Sequence, residues 1–339
     1  MKKTIFFLLI VCFKIFGDGV MIPPTNYNYE IYGSGQIALV KHYGSIEELS
    51  ILAKLNYGNQ GFAWVVPLPS TPEIDEVSTD FFSELAEISK PVYRYRSYDF
   101  DCSSPQPGYG RGEGKGEDYF LIVERSKKFD FLSTVVVHTN QVDSLKTWLE
   151  NNGYSVSEKV ISYIQAYIDK NWNHFFCAKI TSGASDRNSV GVKLTFESGD
   201  PVYPMTISRA NFYSYPYPLL FLYIISSHKM TFPKSDLLYA NLINENELKK
   251  ITEDFPELGA YLNKDDYLTK LSKEYTSASE MEDITLTQAA DDKEYRELYG
   301  KYYYNYYGMN VPLFPFGLFL YLLILCLYYY IKNRIKLKI

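Results

Sequence analysis

The chain alternates for most of its length between short apolar stretches and polar turns. From Tyr29 to Leu68 the runs GQIALVKHY, EELSILAKLNY and GFAWVVPL are apolar or alternating, with turns at Gly44-Ser45 and Gly58-Asn59 between them. This pattern predicts a meander of antiparallel strands. Pro67, Pro69 and Pro72 close it, since proline has no amide hydrogen to give a ladder. Phe81, Phe82, Leu85 and Ile88 recur at helical spacing and predict a short helix over 79–89, stopped by Pro91. Strands follow at DYFLIVE and DFLSTVVVHT. Asn140 or Thr139 then caps a helix carrying Val142, Leu145, Trp148 and Leu149, which ends at Asn152-Gly153. A second helix, about 157–170, places Val160, Ile164, Tyr167 and Ile168 on one face. HFFCAKI, GVKLTFE, YPMTIS and PLLFLYIISS read as strands, and the acidic stretch from Asn244 carries helices near 245–251 and 292–298. No repeat of fixed length occurs, which excludes a solenoid. The fold class is therefore α+β, with antiparallel β-meander sheets, a few packed helices and one C-terminal transmembrane helix.

The two ends stand apart from this pattern. MKKTIFFLLIVCFKIFG has a basic start, an apolar run from Ile5 to Phe13 and a small residue, Gly17, after which cleavage of a signal peptide is expected. The run is well short of the ~20 residues that cross a bilayer. Cys12 follows Leu9-Ile10-Val11, but Val11 stands where a lipoprotein box needs a small residue. At the other end Val311 to Ile331 is uncharged, and at ~1.5 Å per residue it spans about 31 Å, the thickness of a hydrocarbon core. Lys332, Arg334, Lys336 and Lys338 follow with no acidic residue, which places the C-terminus in the cytoplasm. The expected plan is a signal peptide at 1–17, a β-rich part at 18–98, a Gly/Pro-rich loop at 99–118 and a second α+β part at 119–243. An acidic, partly helical segment and stalk at 244–310, the membrane helix at 311–331 and a basic tail at 332–339 complete it. Whether the exported part is one domain or two stays open, with any break falling in the loop.

Charge sharpens the picture once the ends are set aside. The whole chain has 34 basic and 40 acidic residues, a net of −6. Without the three lysines of the leader and the four basic residues of the tail, the exported portion is near −13. Such acidity disfavours nucleic acid and other anionic partners. Of four cysteines, Cys12 and Cys326 lie in the terminal apolar segments, leaving Cys102 and Cys177 either as one disulfide in an oxidising compartment or as separate thiols.

Chemistry-bearing patterns are sparse. His42, His138, His174 and His228 are far apart, and the period of a strand sends His174 and Cys177 to opposite faces. The acidic pairs at Asp99/Asp101 and Asp291/Asp292, and the cluster Glu113/Glu117/Asp118, lack calcium-loop spacing and read as solvated loops. The glycines at 108, 110, 112 and 114 lack the Lys-Ser/Thr ending of a phosphate loop. No metal or cofactor is called for. For nucleophilic catalysis the sequence offers Cys102 in the loop with His138 at a strand end and Asn140, against the blander reading of a bonded or free Cys102. Aromatic residues make up 17% of the chain, with 33 tyrosines. Codon bias accounts for most of these, while Tyr93, Tyr95, Tyr98 and Tyr109, beside the loop, are candidate ligand contacts.

DGVMIPP, QIALV, GFAWVVPLPSTPEI, VVVHTNQVDSLKTWLENNGY, SYIQAYIDKNWNHFFCAKI, LTFESGDPVYPMTIS, YLTKL and MEDITL together resemble the bacterial domain-of-unknown-function family 2330 over most of Asp18 to Leu286. The resemblance implies an exported, membrane-associated protein, often with a C-terminal anchor, and brings no established activity, substrate or cofactor. Many members carry a cysteine-rich stretch after the signal; Asp18 to Tyr43 contains none. The expectation is a single-pass protein of the bacterial cell membrane whose extracytoplasmic domain binds or scaffolds without chemistry. Its partners would be the membrane, through the C-terminal helix, and an envelope protein or glycan. The alternatives are a membrane-tethered thiol enzyme using Cys102 and His138, and envelope carbohydrate binding through exposed tyrosines.

Overall fold

The computed structural model describes residues 14–15, 19–25, 32–33, 35–54, 61–100, 132–180, 189–212, 214 and 217–306. The expected signal peptide apart from Lys14–Ile15, most of the expected 99–118 loop, the strand expected at DYFLIVE, Cys102, Tyr109 and the membrane helix expected at 311–331 lie outside these residues. The chain divides into two compact units, 1–91 with 120–297 and 92–119 with 298–339. In the second, Val92–Phe100 pairs in parallel with Leu298–Tyr306.

The first unit is mixed α+β with mostly antiparallel sheets. Its strands are β1 (Val20–Ile22), β2 (Gly35–Tyr43), β3 (Ile46–Lys54), β4 (Ala63–Leu68), β5 (Glu73–Val77), β6 (Leu132–His138), β7 (His174–Ile180), β8 (Ser189–Glu197), β9 (Leu219–Ser226), β10 (Asp236–Leu242) and β11 (Tyr267–Glu274). The helices are α1 (Thr79–Ile88), α2 (Val142–Asn151), α3 (Glu158–Asp169), α4 (Glu245–Asp254) and α5 (Pro256–Tyr261). An eight-stranded sheet runs Tyr295–Arg296, β10, β11, β9, β2, β3, β8, β5, and a four-stranded sheet runs β1, β4, β7, β6. All neighbours are antiparallel except β9 and β2. Lys14–Ile15 pairs in parallel with Tyr32–Gly33.

The expected three-strand meander is only a hairpin. Gly44, at φ +63°, turns β2 into β3, but the next strand, β4, leaves for the second sheet. Every residue of β4 is buried, because it lies between two cores. Trp64, Val66 and Leu68 face the core between the sheets, where the Trp64 and Phe176 rings meet edge to face at 5.3 Å. Ala63 and Val65 face the core under α2 and α3, with Leu145, Leu149, Ile164 and Phe175. Pro67 stays within the strand, since β1 pairs only with Ala63 to Val65 and position 67 has a neighbour on one side. A third core, on the far face of the large sheet, joins Leu39, Leu52 and Tyr223 to Phe81, Phe82 and Leu85 of α1 and Leu258 of α5. The layers are thus helix, sheet, sheet, helix.

Three other expectations change. Neither Asn140 nor Thr139 caps α2. Gln141 takes that place with no side-chain bond, and Thr139 Oγ1 accepts from its amide. YPMTIS is mostly not strand: Val202–Tyr203 pairs with Ile284–Thr285, and Thr206–Asn211 is a 3-10 helix, because Asp283 holds the Thr206 amide at 2.8 Å. In place of a helix at 292–298, Tyr295–Arg296 adds to the edge of β10.

That last pairing belongs to a strap. After β11 the chain makes three two-residue antiparallel pairs in succession: Ile284–Thr285 with Val202–Tyr203, Thr287–Gln288 with Met230–Thr231, and Tyr295–Arg296 with Tyr239–Ala240. Asp291 and Asp292, read from sequence as solvated, fasten it. Asp291 accepts from the nearly buried Lys229 ammonium at 2.6 Å, and Asp292 accepts from the Lys229 amide at 2.9 Å and from His228 Nδ1 at 2.8 Å.

Candidate functional site

Cys177 is a buried free thiol in the middle of β7, and burial pushes its pKa up to about 12. It faces the core under α2 and α3. In the register Cys177 lies opposite Val135, and His138 lies opposite His174, three positions along. Cys177 and His138 therefore project from opposite faces of the sheet, while Cys102, the expected partner of His138, lies outside the described residues. The two histidines instead stack on each other, ring centroids 4.6 Å apart. Burial first, and then the neighbouring His138, lowers the pKa of His174, opposed by its bond to the Pro69 carbonyl. Tyr93, Tyr95 and Tyr98 lie on the Val92–Phe100 strand of the second unit, opposite Tyr299, Lys301 and Tyr304. Among the described residues no three of His, Cys, Asp and Glu converge as a metal would require.

The first unit also carries a cleft of about 620 Å³, within the range of small-molecule sites. Four segments from three regions of the sequence build it. The C-terminal end of α1 and the residues after it contribute Glu87, Ile88 and Lys90; β10, flanked by Tyr295–Arg296, contributes Tyr239, Ala240 and Asn241. α4 contributes Glu247, Lys250, Ile251 and Asp254, with Phe255 after it. Glu294, Tyr295 and Arg296 of the strap complete the wall. α4 is set firmly, because Asn244 and Glu247 form a reciprocal capping box at its start.

Arg296 holds the cleft together. Its guanidinium lies 5.0 Å from the centre of the Tyr239 ring and donates to the Ile88 carbonyl at the end of α1. Burial raises the pKa of Tyr239, with the nearby arginine opposing. Asn241 Nδ2 donates to Glu247 Oε1 at 3.1 Å, and Lys90 pairs with Glu87. Tyr295 by contrast is 44% exposed and lines the cleft. Sequence reasoning missed this site, because no motif marks residues that meet only through the strap.

A second polar cluster fastens the far end of the strap. Tyr167 of α3 and Lys170, the residue that caps its C-terminus, both donate to Asp283, whose Oδ1 also accepts the Thr206 amide. Asn171, at φ +65°, turns the chain so that Trp172 returns over Lys170, its ring centre 3.7 Å from Nζ. Arg209 adds bonds to the carbonyls of Met281 and Ser279. Every partner is engaged within the fold, so this is a structural latch.

A family model described as "uncharacterized protein conserved in bacteria" (DUF2330) matches residues 19–287. No curated protein sequence matches the chain. Among solved structures, the crystal structure of baculovirus P35 is similar at 11% identity and a TM-score of 0.35, over 77% of this chain and 98% of that one. A mutated baculovirus P35 after caspase cleavage is similar at 10% identity and a TM-score of 0.32, over 63% and 78%. Likenesses at that level bear on neither fold nor function.

Proposed function

The chain belongs to the DUF2330 family of uncharacterized bacterial proteins, and from that premise we propose that it is a membrane-tethered binding domain of the cell envelope that holds its ligand in the cleft and performs no chemistry on it. The observation that carries this reading is the make-up of the cleft wall. It brings together aromatic rings, carboxylates, ammonium groups, an amide and a guanidinium, and among its described residues none is Cys, His, Ser or Thr. Such a wall can grip a ligand, and it offers no Ser, Thr, Cys or His nucleophile.

The tether rests on the sequence. Val311 to Ile331 has the length and character of a membrane helix, and the basic residues after it favour a cytoplasmic end. Among the described residues no helix is long and apolar enough to cross a membrane, and 311–331 is not among them. The leader pattern read at 1–17 supports export.

Two measurements on living cells test the reading. Removing residues 307–339 is expected to release the protein from the membrane fraction. A photo-reactive amino acid in place of Tyr295 is expected to crosslink to an envelope component, whereas one in place of Tyr217, exposed but outside the cleft, is not. Retention in the membrane without the tail, or silence at position 295, overturns it.

A further inference from the structure

We infer that the ligand of the cleft is a short, uncharged saccharide; this rests on the cleft being the binding site. The argument turns on how donors and acceptors are mixed in the wall. An anion needs donors, and a cation needs acceptors. A sugar hydroxyl is both at once, so a polyol is matched best by a surface where the two alternate. The cleft has that character. Asp254 stands on the same helix as Lys250, and the strap carries Glu294 two residues before Arg296. The carboxylates number four and the cationic groups three, so neither sign is in large excess.

The remaining lining fits the same class. Sugar rings have a face of C–H bonds that packs against aromatic rings, and Tyr295 offers a half-exposed ring in the lining. A lipid chain is disfavoured by the density of charge. A peptide binding by strand addition is disfavoured because the edge of β10 is already occupied: Tyr295–Arg296 pairs with Tyr239 and Ala240, and the Glu297 amide bonds the Leu238 carbonyl. The cleft presents side chains, and side-chain hydrogen bonds with one stacked ring are how a sugar is read.

Titration calorimetry on the full chain in lipid nanodiscs tests the proposal. The probes are three neutral trisaccharides (chitotriose, cellotriose and maltotriose), anionic trigalacturonate and cationic spermidine. The expected result is binding of at least one neutral trisaccharide, weakened about tenfold or more by Tyr295→Ala and several-fold by Asp254→Asn. Tyr217→Ala should leave it unchanged, and melting curves should show all variants folded. Binding of spermidine or trigalacturonate alone, lost in Tyr295→Ala, overturns the saccharide and leaves the cleft standing. Silence of all five probes overturns the saccharide when position 295 still crosslinks in cells. When position 295 is silent too, the cleft reading falls with it.

Discussion

Lys170 and Asp283 are 113 residues apart in sequence and form an ion pair, with the lysine also lying over the rings of Tyr167 and Trp172. Burial lowers the Lys170 pKa and Asp283 opposes that shift. The carboxylate also receives the Tyr167 hydroxyl and the Thr206 amide, so three donors depend on one side chain.

Asp283→Ala is therefore expected to destabilise the first unit by about 1–3 kcal/mol, because buried donors lose their acceptor. The ion pair itself is partly exposed and counts for less. Lys170→Met, which keeps the contact with the rings, is expected to cost less than half as much. Chemical denaturation of both variants checks the order; equal losses would place the energy in the ion pair.

Glu47 is the acid to watch as pH rises. It is fully buried in the core between the sheets, its Oε2 accepting the Val202 amide at 2.9 Å and its Oε1 without a hydrogen-bond partner. Burial raises its pKa well above the ordinary value, against the opposing Val202 bond. A raised carboxyl favours folding fully below the unfolded value of 4.5 and progressively less as pH climbs through the folded value. Glu47→Gln keeps the acceptor and removes the charge. It is expected to raise stability at pH 8 by an amount on the order of 1–3 kcal/mol and to leave pH 4 nearly unchanged. Melting temperature against pH for both proteins is the check.

The strap should come loose in acid. The Lys229 ammonium and the Lys293 amide hold Asp291 at about 2, and His228 together with the Lys229 amide holds Asp292 below its usual value. A lowered carboxyl stabilises fully above its unfolded pKa of 3.8 and loses that effect as pH falls toward 2. Amide exchange at 287–297 is expected to accelerate over that window, earlier than in β2 and β9. Asp291→Asn should bring the same acceleration at neutral pH.

Cys177 should resist thiol reagents. With its pKa at about 12 and 2% of its surface exposed, it is expected to remain unlabelled in the folded protein for hours and to react fully in denaturant. Rapid labelling of Cys177 without unfolding would contradict the packing of β7 under α2 and α3.

Much of the architecture was legible where one face of an element carries the pattern. Phe81, Phe82 and Leu85 marked α1, Val160, Ile164 and Tyr167 marked α3, and the alternation of β2 and β3 marked their hairpin. Legibility failed where an element is apolar on both faces. AWVVPL carries no alternation to say which sheet it joins, and only the two flanking cores place it. It failed again for polar residues with distant partners. Asp291 and Asp292 resemble any acidic loop until Lys229 is seen to lie 62 residues away in sequence and within bonding distance. The cleft shares that difficulty, since Lys90, Tyr239, Lys250 and Tyr295 have no common motif.

The pairing of β9 with β2 sets an order on folding. β2 is made early, yet its parallel neighbour is Leu219–Ser226, and the amide of Met21 waits for the side chain of Asn211, 190 residues downstream. A chain emerging from its N-terminus can form the β2–β3 hairpin at once, but it carries an unpaired strand edge until more than two hundred residues have appeared. The fold therefore closes late and nearly all at once. A truncation anywhere before β11 would leave an aggregation-prone fragment in place of a smaller stable domain.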